Sequence, residues 1–414
     1  MNKIIHVPPR YFPAISGSEF YLQRVSEILS KEYPVEVHCT NALDFKAFRN
    51  KGGKRVFDGE QHQILNNVDV YRHKIDYEKD VLQKEKEILR KPGKFNYFYQ
   101  PNEILDNGPV SSSLRKALMK SKGNIIHATP YPYANLITAL YVAREREIPC
   151  LLTPFIHEKN PRYNTKIIKL VSHFDKILAC SQSEKLFLTN HSFAGNKIEK
   201  ITMGVDVAKF DKATTVKFKR VTGVDPNHHK LILFCGYKNF EKGAITILHT
   251  IENVIKKHPN AMFIMIGPPT MQYNREFHNL GNLREYIVNI NPASLSGYFD
   301  KTKLGAFKAC DVFVMPSRSD AYGIAYLEAW ASKKPVIASN IPAMRDLFED
   351  GKEGFHVKFD DPQQLASKIN LLLDDKELGF ALGERGYNKI IEERLTWEDV
   401  ARRILSIYQD IGFN

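Results

Sequence analysis

Between Asp311 and Ser339 the chain reads DVFVM, then PSRSD, then a helical run that opens at Gly323, then PVIAS. A β-rich apolar run, a loop punctuated by Pro316, Ser317 and Ser319, an apolar period through Ile324, Leu327 and Ala331 with Ala325 and Ala329, and a second apolar run make a strand–helix–strand unit. Strands joined across a helix are parallel and buried on both faces, so this order commits the chain to an α/β fold. Asp320 lies in the loop at the carboxyl end of the first strand, where open α/β sheets bind ligands, and Glu328 follows about a turn and a half into the helix. The amides of Gly323, Ile324 and Ala325 have no helical acceptor and sit at the positive end of the helix dipole, which suits an anion. Carboxylates only accept hydrogen bonds, so beside that anion they suit sugar hydroxyls. A sugar nucleotide fits: diphosphate on the amides, ribose on one acid, hexose on the other. Taken singly, Asp320 reads equally as a helix cap or dipole partner, and Glu328 as solvated charge.

Strand and helix patterns alternate along nearly the whole chain. Strands are expected at KIIHV (3–7), VEVHC (35–39), VDVYR (68–72), NIIHA (124–128), CLLTP (150–154), KILAC (176–180) and KIEKI (197–201). After a polar stretch at 207–226 the pattern restarts with LILFCG (231–236), a helix carrying Ile245, Leu248, Ile251 and Ile255, and the strand AMFIMIG (261–267). At 414 residues and 43% hydrophobic content, two domains can each bury a core. The expected domains are 1–208 and 209–395, with a closing segment, 396–414, whose helix starts at Thr396. CGYKNFEKGA (235–244) passes from a strand into a helix, so Gly236 and Lys242 could flank a diphosphate, the lysine neutralising a phosphate. His157 follows a strand end, Ser181 reads as a helix N-cap, and Gly267 closes a strand where backbone can approach a ligand or simply turn.

The stretch from Asp311 to Ser339 resembles the acid-x7-acid motif of the retaining family 4 glycosyltransferases, commonly E-x-F-G-x-x-x-x-E-A-x-A-x-G-x-P-V. Asp320, Tyr322, Gly323, Glu328, Ala329, Ala331, Pro335 and Val336 fall in register; Asp320 replaces the usual Glu and Lys333 the usual Gly. The resemblance implies the GT-B fold, two Rossmann-like domains with parallel sheets facing across a cleft, an N-terminal acceptor side and a C-terminal nucleotide-sugar side, with the terminal helix returning to the first domain. It implies catalytic roles for Lys242, Asp320 and His157, the last near the donor hexose, and ribose binding by Glu328. Donor contacts are implied for Tyr322, Gly323, Ile324, Ala325, Gly236 and Gly267. In the family's G-R-x-x-x-E-K-G pattern, Gly236, Glu241, Lys242 and Gly243 match; Tyr237 holds the arginine position, and Lys238 is the expected substitute. Gly17, preceded by Ser16, stands for the family's glycine pair beside the phosphates. Gly204, Val205 and Asp206 resemble its N-G-V-D turn, a domain-edge element.

The net charge of +12 is mostly N-terminal: residues 1–208 carry +9 and the rest +3. With no zinc-finger spacing and no RNP-type aromatic motif, no nucleic-acid partner is expected, and an anionic membrane surface is the better partner for the charge. A basic and aromatic patch with Lys91, Lys94, Phe95, Tyr97, Phe98 and Tyr99 is a candidate membrane contact near a lipid-linked acceptor. No signal-peptide or membrane-spanning run is legible, so a cytoplasmic protein, peripheral on the inner face of the membrane, is expected. Five cysteines without C-x-x-C spacing read as buried free thiols. There is no D-x-D, and the D-x-E at Asp76–Glu78 lies in a polar region, so no metal and no cofactor are expected. The expected function is retaining transfer of a hexose from a UDP- or GDP-sugar to an acceptor hydroxyl on a glycan or lipid-linked glycan. The alternatives are a sugar-nucleotide 2-epimerase on the same fold and a non-catalytic, partner-binding member.

Overall fold

A computed structural model describes residues 2–14, 16–90, 102–157, 163, 166–192 and 195–413. The aromatic patch from Lys91 to Tyr99 lies outside the described residues. The chain forms two compact units, Met1–Met203 with Trp397–Asn414, and Gly204–Thr396.

In the first unit the strands are β1 (Ile4–Val7), β2 (Val35–Thr40), β3 (Gln61–Leu65), β4 (Val68–His73), β5 (Ile125–Ala128), β6 (Cys150–Leu152), β7 (Lys176–Ala179) and β8 (Ile198–Lys200). Their order in the sheet is β3-β4-β2-β1-β5-β6-β7-β8. All pairs are parallel except β3 with β4, an antiparallel edge hairpin that the sequence pattern did not lead us to expect. Its turn, Asn66–Asn67, has both residues in the left-handed region, φ 49° and 65°, as tight hairpins require.

β1 is buried throughout, which puts an imidazole, His6, in the middle of an apolar strand. Its partners are all internal. Ser26 donates its hydroxyl proton to the Leu22 carbonyl at 2.6 Å, so it accepts from His6 Nδ1 at 2.7 Å. His6 Nε2 then accepts from the Tyr408 hydroxyl at 3.1 Å, whose oxygen accepts from His127 Nδ1 at 2.6 Å. His127 Nε2 accepts from Thr153 at 2.8 Å, and Thr153 accepts from Tyr21 at 3.1 Å. Every hydroxyl and ring proton in this chain is used once, in one direction, with both histidines neutral. Burial explains the charge state: it pulls His127 down to about 3 and His6 well below its usual value.

Tyr408 lies on the helix Trp397–Asp410, so the network ties the last helix to the first and fifth strands. That helix buries Trp397, Val400, Ala401, Ile404, Ile407 and Tyr408, a stripe at helical spacing. Trp397 packs edge-on against Phe20 with ring centres 5.7 Å apart.

The second unit is an all-parallel sheet of β9 (Lys230–Cys235), β10 (Ala261–Ile266), β11 (Ile287–Ile290), β12 (Val312–Met315), β13 (Val336–Ser339) and β14 (Gly354–Val357), ordered β11-β10-β9-β12-β13-β14. From β9 the chain runs outward to β11, then returns to lay β12 on the other side of β9. The expected single helix after β9 is two, Ala244–Leu248 and Ile251–Ile255. Between them Thr250 donates its hydroxyl to the Thr246 carbonyl at 2.8 Å, a local bond that competes with the helix ladder.

Cys39, Cys150, Cys180 and Cys310 are buried and Cys235 half-buried, all as free thiols. Among the described residues no helix is long and apolar enough to cross a membrane.

His127 binds its proton far less readily folded than unfolded. Its contribution to stability is therefore complete above about pH 6.5 and is lost as the pH falls towards 3. The thermal midpoint should be level above pH 7 and fall steadily below pH 6.5; a level midpoint down to pH 4.5 would disprove the account. Tyr408→Phe leaves a ring donor and a ring acceptor unmet, and should cost about 1–3 kcal/mol in urea unfolding.

Candidate functional site

The strand order of the second unit reverses at β9 and β12, which are hydrogen-bonded neighbours with Ile232 beside Val312 and Leu233 beside Phe313. In open α/β sheets, ligands bind outside the carboxyl ends of the strands at such a reversal. The β9 loop carries Gly236 to Gly243, and the β12 loop carries Pro316 to Tyr322.

The two loops are fastened to each other. Arg318 donates its backbone N–H to the Glu241 carbonyl at 2.8 Å, and its guanidinium meets the Glu241 carboxylate at 3.0 Å. One residue on, the Lys242 ammonium is 2.6 Å from Asp320 Oδ2. Asp320 Oδ1 also accepts from the Ala321 amide at 2.9 Å, so the carboxylate is held by backbone as well as by charge. Gly243 has φ 75°, and a Cβ there would fall 2.3 Å from the Pro316 carbonyl oxygen. Only glycine gives both that backbone and that approach.

Gly323 caps the helix Ile324–Ala331. Among the described residues no acceptor meets the amides of Gly323, Ile324 or Ala325, and Ile324 and Ala325 are half-exposed. These open N–H groups follow the Asp320 loop by three residues, so the helix end expected to meet an anion adjoins the Lys242–Asp320 pair. Tyr322 is buried between them in sequence. Tyr326, one turn in, donates its hydroxyl to the Met315 carbonyl and so fixes the helix to the end of β12. Burial, then the Asp320 charge, pushes its phenol well above the ordinary range.

Glu328 is only 2% exposed, and Lys303 takes its Oε1 at 2.7 Å. Sequence reasoning missed Lys303. Its signal was there: it shares a helix face with Ala306 and Phe307, where a lysine needs a partner. Burial, then the Glu328 charge, holds the Tyr298 phenol well above its usual range.

Lys238 goes elsewhere. Its ammonium donates to Asn289 Oδ1 at 2.9 Å and lies over the Tyr273 ring, and burial pulls it down to about 8. It braces the β10–β11 side of the sheet, while Tyr237 at the arginine position is exposed. Gly236 pairs with β10 through the Ile266 carbonyl at 2.9 Å. At Gly267, with φ 140°, a Cβ would fall 1.7 Å from the Gly236 carbonyl oxygen, so only glycine fits there.

The remaining expected residues belong to the first unit. Gly17 is exposed at the start of the helix Gly17–Leu29, whose Glu19 carboxylate is held by Arg10 at 2.6 Å in a buried pair. His157 is half-buried beyond β6, with Tyr163 5.3 Å away between ring centres. Ser181 caps its helix by accepting from the Glu184 amide at 3.1 Å. Asp76 accepts from the Ser112 amide at 2.6 Å and Glu78 pairs with Lys51, so both acids of the D-x-E have protein partners.

Residues 217–389 match the family model described as "Glycosyl transferases group 1". That match lies within the second unit, and the chain has the GT-B fold. It is 28% identical over 252 residues to a D-inositol 3-phosphate glycosyltransferase of Corynebacterium kroppenstedtii, covering 58% of this chain and 54% of that protein. It is 26% identical over 220 residues to a phosphatidyl-myo-inositol mannosyltransferase of Mycolicibacterium smegmatis, covering 53% of each. The chain thus spans about half the length of these curated relatives. Among solved structures, Anabaena HepE in complex with UDP and glucose superposes with a TM-score of 0.73 at 15% identity, over 99% of this chain and 100% of that one.

Gly243→Ala should force the two loops apart. We expect a loss of at least about 2 kcal/mol in urea unfolding of the second unit, from strain plus the lost loop contact. Gly223→Ala, also at positive φ but with open space at its Cβ, should cost less than half as much.

Proposed function

We propose that this protein is a retaining glycosyltransferase that moves a hexose from a UDP- or GDP-sugar to an acceptor hydroxyl without a metal ion. The observation that carries the proposal is the Lys242–Asp320 pair, 2.6 Å, beside the open amides of Gly323, Ile324 and Ala325 at the strand-order reversal. The amides and the ammonium face a diphosphate, and an ammonium has two further N–H groups to give it. Asp320, neutralised by Lys242, accepts from a hexose hydroxyl without repelling the phosphates. Glu328 serves the ribose.

In the transfer, the bond from the anomeric carbon to the diphosphate oxygen breaks and that oxygen keeps the electron pair. The acceptor oxygen bonds to the same face, and its proton passes to the departing diphosphate. Lys242 and the helix amides lower the barrier by meeting charge that builds on the diphosphate, a contribution of a few kcal/mol for one well-placed donor. HepE's complex with UDP and glucose favours the uridine arm. The names of the inositol-directed relatives and the +12 charge favour a polyol or glycan acceptor on a lipid at an anionic surface.

Thermal-shift titration with UDP-, GDP-, ADP- and CDP-sugars should single out one base; a donor at 100 times its Kd adds about 2.7 kcal/mol. Product NMR should give an unchanged anomeric configuration, and EDTA should leave the rate unaltered. Lys242→Met should lower kcat/KM about 100-fold or more, with the fold retained. An epimerised sugar from UDP-GlcNAc alone would point instead to the 2-epimerase.

A further inference from the structure

We propose that Lys303, together with Tyr298, is a positioning residue for Glu328, aiming the free side of its carboxylate at the ribose diol of the donor. The proposal rests on the donor reading above and names a part of that site outside the acid-x7-acid and lysine–glycine motifs. The Lys303 ammonium is 2.7 Å from Glu328 Oε1 and 3.5 Å from the centre of the Tyr298 ring, with 5% of the residue exposed. The carboxylate on one side and the ring face on the other enclose it, so Lys303 acts through Glu328.

A carboxylate has about four lone-pair positions. Lys303 takes Oε1, which leaves the two lone pairs of Oε2, and a vicinal diol needs two. A buried ion pair repays its desolvation only where geometry is good and the remaining lone pairs find donors. Ribose hydroxyls are donors of the right number.

The lysine is also held firmly. Its helix, Lys301–Ala309, is capped by Asp300, which accepts from the Thr302 amide at 2.6 Å, from the Ser296 amide and hydroxyl at 3.0 and 2.7 Å, and from Lys217 at 2.7 Å. Gly305 of that helix presses on the helix Val216–Thr222, where a Cβ would come within 2.8 Å of the Phe218 Cβ. Lys303 is thus presented by a braced helix, as a group that fixes a ligand-binding carboxylate should be.

The test is calorimetric titration of the full chain with UDP and GDP and with their 2′-deoxy forms. The wild type should bind the ribonucleotide of the matching base about 10-fold or more tighter than its deoxy form, the scale of a hydrogen bond to a charged group. Glu328→Gln should erase that preference. Lys303→Met should cut it to under about threefold with the deoxy affinity unchanged, and Lys303→Arg should restore part of it. Tyr298→Leu, which removes the ring face that encloses the ammonium, should narrow it about two- to threefold. If Lys303→Met weakens both nucleotides equally, or if Tyr298→Leu leaves the preference whole while Glu328→Gln erases it, the positioning role is overturned. A preference that survives Glu328→Gln overturns the ribose assignment itself.

Discussion

A lysine from one loop and an aspartate from its neighbour meet across the crevice where the second sheet reverses direction, and the chemistry of that unit is arranged around their contact. Lys242 is about a fifth exposed and Asp320 less, so the cost of taking both charges out of water offsets much of their attraction. The importance of the pair is electrostatic placement. In the proposed reading an unneutralised Asp320 would repel a diphosphate at the adjoining helix end, whereas the pair presents no net charge and leaves two ammonium N–H groups to donate. Gly243 permits the contact, because the lysine loop can lie against Pro316 only where no Cβ intervenes.

The neighbouring acid answers to a different regime. Glu328 and Lys303 are almost wholly buried, so breaking either side leaves an uncompensated charge in a low-dielectric setting. One acid is thus tunable by solvent and ligand, the other fixed by packing. The first unit makes a similar choice with neutral groups: His6, His127 and Tyr408 satisfy one another in a one-way chain that joins the two ends of the polypeptide. Such networks specify a unique core because a single misplaced member strands its neighbours.

Much of the second unit was legible in its sequence. Apolar runs and their period located β9, β10, β12 and β13, and the turn residues located both loops. What escaped was decided by competition between local bonds. The Asn66–Asn67 turn announced a hairpin, yet QHQIL lacks the apolar run that marks a strand. Thr250 interrupted a helix whose hydrophobic period never faltered. Lys238 looked like a stand-in for arginine from its place in the chain, but Asn289 and the Tyr273 ring, distant in sequence, took its ammonium.

The sequence by itself determined the alternation of strands and helices, the acid-x7-acid spacing and the glycines that let loops turn, since these are set by period and by backbone sterics within a few residues. Only the tertiary structure decided which charge meets which. Lys242 lies 78 residues from Asp320 and Lys303 lies 25 from Glu328, and no local pattern sets such a pairing. The order of the strands does, because it sets β12 beside β9 and thereby chooses the loops that share a crevice.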